Sequence, residues 1–179
     1  MILARDREFC CNLANVPIRH AAPSDLPEIV AIYNTAIPGR IATADLAPVG
    51  IDDRKQWFAE FDPARRPLWV YCGDARPEPL AWLSLRSFYG RPAYDETVEV
   101  GIYTASGAQR RGYGRQLLDH AIREAPGMRI TTLLAFTFAH NAPSLGLFRA
   151  AGFREWGALP GVAKLDGIRR DLLILGKPL

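Results

Sequence analysis

Gln109-Arg110-Arg111-Gly112-Tyr113-Gly114-Arg115 stands between a strand-like run, Thr97 to Thr104, and a segment from Gly112 to Ala125. In that segment Leu117, Leu118, Ala121, Ile122 and Ala125 recur at helical spacing, and Pro126 and Gly127 close it. A strand that enters a helix through a glycine-containing turn gathers successive backbone N–H groups at the helix N-terminus, where the helix dipole also favours negative charge. Gly112 and Gly114 let the main chain approach a bound group closely, and Arg110, Arg111 and Arg115 add positive charge. The stretch reads as an anion cradle suited to a pyrophosphate. Taken alone, it fits a plain helix start with solvated arginines equally well.

The flanking sequence supplies the rest of a mixed α/β pattern. Upstream, Leu68–Cys72, Leu80–Phe88 and Thr97–Thr104 are three strand candidates separated by turn-rich pieces, which suggests an antiparallel meander. Downstream, Ile130 to Ala139 returns to strand character, so the helix between the two strands implies a parallel crossover. Pro143 opens a further helix with Leu145 and Phe148 facing inward and Gly152 as its stop. Strand-like runs follow at Phe153–Trp156 and Arg169–Leu175. Near the start, Ile18–Ala21 reads as a short strand, and Ser24 is placed to cap a helix whose Leu26, Ile29, Val30, Tyr33 and Ile37 share a face. Pro38 and Gly39 end that helix. Residues 38–51 form an irregular stretch of the kind that lines sites, and Asp52–Phe61 resembles a short helix presenting Trp57, Phe58 and Phe61. The expected architecture is a largely antiparallel central sheet with helices covering both faces. Residues 1–16 read as an N-terminal extension, and residues 17–179 as the domain.

Gln109-Arg110-Arg111-Gly112-Tyr113-Gly114 resembles the Q/R-x-x-G-x-G/A motif of the GNAT superfamily of N-acetyltransferases, which bind the pyrophosphate of acetyl-coenzyme A (acetyl-CoA) with these amides. Tyr94 to Tyr103 is similar to the fourth strand of phosphinothricin N-acetyltransferases. Asn141-Ala142-Pro143-Ser144 with Gly152-Phe153, the run Trp156 to Gly161 and Asp166 to Leu175 are similar to later parts of that subfamily.

The resemblance implies a reaction: transfer of an acetyl group from acetyl-CoA to the amine of a small amino-acid-like acceptor, of phosphinothricin or methionine sulfoximine type. Glu99, between Val98 and Val100, is a carboxylate in an apolar strand, where desolvation raises its pKa and suits it to take a proton from an ammonium. In the family a glutamate here is the proposed general base. The competing reading is a strand glutamate turned to solvent. Main-chain groups of Ile102, Tyr103 and Thr104 would pair with the pantetheine arm and polarise the acetyl carbonyl. Gln109 to Arg115 would hold the pyrophosphate, and Asn141 and Ser144 would lie on the coenzyme. Asn141 is equally a cap for the helix that follows it. On the acceptor side Arg86 could grip a carboxylate or phosphinate through two parallel hydrogen bonds, with Phe88 and Tyr94 nearby. Many members place a tyrosine seven residues after the asparagine to protonate the leaving thiolate. This chain has Phe148, which reads as core; a coenzyme A thiolate can leave without strong protonation, so solvent or another residue suffices.

Composition narrows the alternatives. The chain has 179 residues, of which 49% are hydrophobic and 23% charged, ordinary globular values. No run reaches the roughly 18 apolar residues of a membrane span. Arg5, Asp6, Arg7 and Glu8 interrupt the place of a signal-peptide core, so the expected location is cytoplasmic. The net charge of +3 is spread among 19 acidic residues and lacks the aromatic-basic interleaving of nucleic-acid binders, so no nucleic-acid partner is expected. Only Lys55, Lys164 and Lys177 are lysines, and the arginine excess favours anionic ligands. Three cysteines, two of them adjacent at Cys10 and Cys11, form neither a disulfide framework nor a zinc pattern, so no metal is expected. A cysteine acyltransferase using Cys10, Cys11 or Cys72 lacks a supporting arrangement of His20, His120 or His140. A catalytically impaired acyl-CoA sensor is the remaining alternative. The resemblance also implies a homodimer.

Overall fold

The computed structural model of the protein describes residues 17–73 and 77–179. The proposed N-terminal extension, with Cys10 and Cys11, lies outside the described residues. Seven strands form one sheet: β1 (Ile18–His20), β2 (Leu68–Cys72), β3 (Pro79–Ser87), β4 (Thr97–Thr104), β5 (Thr132–Phe138), β6 (Arg154–Leu165) and β7 (Ile168–Pro178). Their order across the sheet is β1-β2-β3-β4-β5-β7-β6. Every neighbouring pair is antiparallel except β4 and β5, which run parallel across a helical connection. The meander and the crossover expected from the sequence are both present.

Strand alternation divides the sheet into two apolar faces. Trp69, Leu83, Leu85, Val98 and Val100 face α3 (Tyr113–Glu124) and α4 (Ala142–Ala150), and pack against Leu117, Leu118, Ala121, Leu145 and Phe148. Leu68, Val70 and Trp82 face the other way, against Ile29 and Ile32 of α1 (Leu26–Ala36), with Trp57 and Phe58 of α2 (Ile51–Ala59) alongside. Helices thus cover both faces. Each fully buried Leu, Ile or Val contributes about 1.5–3 kcal/mol, so these two layers supply most of the driving force for folding.

Two details depart from the sequence reading. Ser24 does not cap α1. A short 3-10 turn, Pro23–Asp25, leads into the helix, and the Asp25 carboxylate accepts from the Ala22 N–H at 2.7 Å while two N–H groups of Arg19 hold it at 2.6 and 2.8 Å. A cap at Ser24 would need the N–H of residue 26 or 27, and Pro27 has none, so the helix starts one residue later with Asp25 at its N-cap position. The last strands are also longer than expected, because β6 continues through Pro160 and Gly161. Register shifts between Leu159 and Ala163 absorb the proline and the left-handed Gly161 as an irregularity at the sheet edge. Two β7 side chains fasten it: Asp171 accepts from the Gly161 N–H, and Arg169 donates to its carbonyl.

Candidate active site

β4 and β5 are paired only at their beginnings, from Thr97 with Thr132 to Glu99 with Leu134. Beyond Glu99, β4 runs on to Thr104 and β5 to Phe138 without joining, so their facing backbone edges stay open and a cavity of about 280 Å³ lies between them. A second cavity, of about 210 Å³, lies on the α1/α2 face of the sheet. The alternating residues Glu99, Gly101 and Tyr103 line both, so one stretch of β4 is the partition between two hollows. Gly101 has to be small there. A Cβ at that position would stand 2.9 Å from the Ser84 hydroxyl.

Glu99 is half-buried in this partition. Burial pushes its carboxyl above the usual 4.5, and the positive charge of its cross-strand neighbour Arg86 only partly opposes that. Arg86 is an exposed residue that lines the second cavity beside Glu99, and its side chain makes no hydrogen bond among the described residues.

On the side of the open strand edges, the Gln109–Arg115 turn has the conformation that a cradle needs. Arg110 and Gly112 both adopt positive φ, 58° and 83°, and Gly112 sits at the N-cap of α3. Residues 109–112 donate no backbone hydrogen bond to the described residues, and the first N–H groups of α3 have no intrahelical partner. Among the described residues, none beyond its two chain neighbours comes within 4 Å of a Cβ built on Gly112, so this side of the turn is open. Side chains contribute unequally. Gln109, Arg110 and Arg111 are exposed, whereas Tyr113 stacks on Tyr71 with ring centroids 4.3 Å apart. The Arg115 guanidinium binds Asp119 at 2.7 Å and the Ala150 carbonyl, which leaves its backbone N–H for the cradle.

Ile102, Tyr103, Asn141 and Ser144 all line the cavity between β4 and β5. Asn141 caps α4 by accepting from the Ser144 N–H at 3.1 Å, and its amide donates to the Ile41 carbonyl at 2.8 Å. Phe148 is core, packed edge-on against Phe153, and its ring also borders this cavity. The irregular segment after α1 lies over the same hollow: His140 bonds the Arg40 carbonyl, Tyr103 donates to that of Ala42, and residues 41–44 line the cavity.

The second cavity gathers residues that sequence reasoning assigned to packing or passed over: Tyr33 of α1, Arg54 and Trp57 of α2, and Trp82 of β3. Trp82 stacks on Tyr103 at 4.6 Å and anchors its indole N–H on the Ile29 carbonyl. Arg54 and Trp57 are one helical turn apart on a helix with no buried residue, a spacing that marks a shared face but not what it faces. Phe88 and Tyr94 are elsewhere, pairing edge-on at 5.5 Å around a separate hollow with Arg65 and Arg91. Cys72 has a thiol pushed up by burial and lies beside Arg19, while His20 and His120 flank Trp69, so no thiol–imidazole pair forms among the described residues.

Comparison with known proteins places the sequence and the fold. Residues 28–153 match the pattern of the "Acetyltransferase (GNAT) family". The chain is 48% identical over 162 residues to the Bacillus subtilis (strain 168) protein named "Putative phosphinothricin acetyltransferase YwnH", covering 90% of this chain and 98% of that one. It is 32% identical over 158 residues to an L-methionine sulfoximine/L-methionine sulfone acetyltransferase of Pseudomonas aeruginosa, covering 88% and 91%. The crystal structure of a similarly described phosphinothricin N-acetyltransferase superposes with a TM-score of 0.86 at 47% identity, covering 90% of this chain and 97% of that one. With a family pattern matched over most of its length and relatives of this identity and coverage, the chain belongs to the GNAT family as an acetyl-CoA-dependent N-acetyltransferase.

Proposed function

We propose that this enzyme acetylates the amine of a small amino-acid-like acceptor of phosphinothricin or methionine sulfoximine type, by direct attack and without a covalent enzyme intermediate. One observation carries the reading: Glu99 borders both the hollow at the open strand edge and the hollow on the other face of the sheet. A carboxylate there can meet an amine arriving from one side and a thioester from the other.

In this reading the amides of residues 109–115 hold the pyrophosphate, and the unpaired edge of Ile102 to Thr104 holds the pantetheine arm and the acetyl carbonyl. Asn141 and Ser144 flank the coenzyme, and Arg86 binds the acceptor's carboxylate. Glu99, its pKa raised by burial, takes a proton from the acceptor ammonium. The neutral nitrogen then attacks the carbonyl carbon, the C–N bond forms and the C–S bond breaks. The nitrogen loses its second proton to solvent, and the thiolate leaves without a tyrosine acid because thiol pKa values lie near neutrality. The acceptor cavity, about 210 Å³, is below the roughly 300 Å³ where pockets for drug-sized ligands begin, which supports a small acceptor over a folded protein surface.

The acceptor assignment is tested by measuring coenzyme A thiol release across phosphinothricin, methionine sulfoximine, polyamines and peptide N-termini. Turnover concentrated on the first two is the expected result. Preference for polyamines or peptides would overturn it.

We also infer a homodimer. β6 is an edge strand, and the β6–β7 hairpin exposes Trp156, Leu159, Val162 and Ile168, an apolar surface of the kind that edge pairing or packing against a second copy would cover.

A further inference from the structure

The acceptor cavity contains two guanidinium groups, and the reaction described above uses only Arg86. The second, Arg54, is held with unusual care for a residue of a solvent-facing helix. Its guanidinium carbon stands 4.8 Å from the ring centre of Tyr33 and 5.5 Å from that of Trp57. One N–H reaches Asp45 at 3.2 Å, and Asp45 also accepts from the Tyr33 hydroxyl at 2.6 Å. The Arg54 side chain is only 25% exposed. A guanidinium has five N–H donors in a rigid fork, and among the described residues only one of these five is engaged. Held over the Tyr33 and Trp57 rings and by Asp45, it has already lost part of the side-chain freedom that binding would otherwise cost.

Resting on the proposed amino-acid acetylation, we infer that Arg54 is a specificity-determining residue, binding an oxygen-bearing group at the far end of the acceptor's side chain. β3 and β4 then read the amino-acid end of the molecule through Arg86 and Glu99, and α2 reads the opposite end. The acceptors favoured are α-amino acids whose side chains terminate in a tetrahedral or planar oxygen group, such as a phosphinate, sulfone, sulfoximine or carboxylate. Apolar analogues of the same length leave the Arg54 fork unsatisfied and bind less well. The competing explanation is that Arg54 only fastens α2 to the segment carrying Asp45.

Calorimetric titration with methionine sulfone and methionine separates the two, since these ligands differ only in the two sulfone oxygens, and it needs no acetyl transfer. The expected result is sulfone binding about tenfold or more tighter than methionine in the wild-type enzyme, the scale of a hydrogen bond to a charged group. In Arg54→Gln that ratio falls to near one, while affinities for methionine and acetyl-CoA change less than about twofold. A wild-type ratio near one, an unchanged ratio in the variant, an equal loss of both ligands or no binding of either overturns the inference. Failure of the acetylation reading looks different: the binding contrast persists and no amino acid releases thiol.

Discussion

Glu99 concentrates the functional argument, because its place in β4 fixes both what it faces and how it titrates. Replacing it with glutamine keeps the shape and removes the base, so kcat is expected to fall by about two orders of magnitude or more with little change in coenzyme affinity. Steady-state kinetics beside a coenzyme titration measures both. Because burial raises the carboxyl pKa, the acid limb of kcat/KM is expected to rise through a value above 4.5. Between the ordinary and the raised value the folded chain binds more protons than the unfolded one, so Glu99 costs stability as pH increases through that window. Glu99→Gln removes the cost and is expected to raise Tm at pH 7, which thermal unfolding of the two proteins checks. A gain in stability with a loss of rate would mark the residue as functional. Loss of both would mark it as structural.

The element proposed to hold the coenzyme is the turn into α3, and its geometry rests on Gly112. At φ 83° an alanine is strained by about 1–2 kcal/mol. Gly112→Ala is therefore expected to lower stability and to weaken acetyl-CoA binding as the turn relaxes and its amides swing out of line, leaving the acceptor's affinity in place. Paired titrations of coenzyme and acceptor read the difference. Further along α3, His120 meets Trp69 of β2 edge-on at 4.9 Å, and burial pulls its imidazole pKa below the ordinary 6.5. The sign is opposite to that of Glu99. The neutral form is favoured by folding, so stability is complete above 6.5 and is lost as pH falls from there toward the lower folded value. His120→Gln is expected to flatten the pH dependence of Tm across that range.

Beyond the elements, the edge of the sheet decides whether the protein stands alone. If the β6–β7 hairpin joins two copies, sedimentation gives a dimer mass, and Val162→Glu or Ile168→Asp, both at exposed positions, shifts it to monomer without unfolding the chain. A monomeric mass for the unmodified protein overturns the dimer.

The sequence by itself determined the succession of strands and helices and the parallel crossover around α3, because residue spacing is local and each element carries its own period. The proposed coenzyme turn and the candidacy of Glu99 fit a plain helix start and a solvent-facing glutamate equally well, and only their resemblance to family motifs singled them out. The membership of the acceptor cavity was not legible in the same way. Tyr33, Arg54, Trp57 and Trp82 lie on three elements far apart in the chain, and each satisfies a helical or strand pattern that packing alone accounts for. Phe88 and Tyr94 sit near Arg86 in sequence yet line a different hollow. Phe88 lies just past the end of β3 and Tyr94 in the turn that follows, where strand alternation no longer sets which face a side chain takes, so nearness in the chain does not become nearness in a site until the tertiary structure is formed.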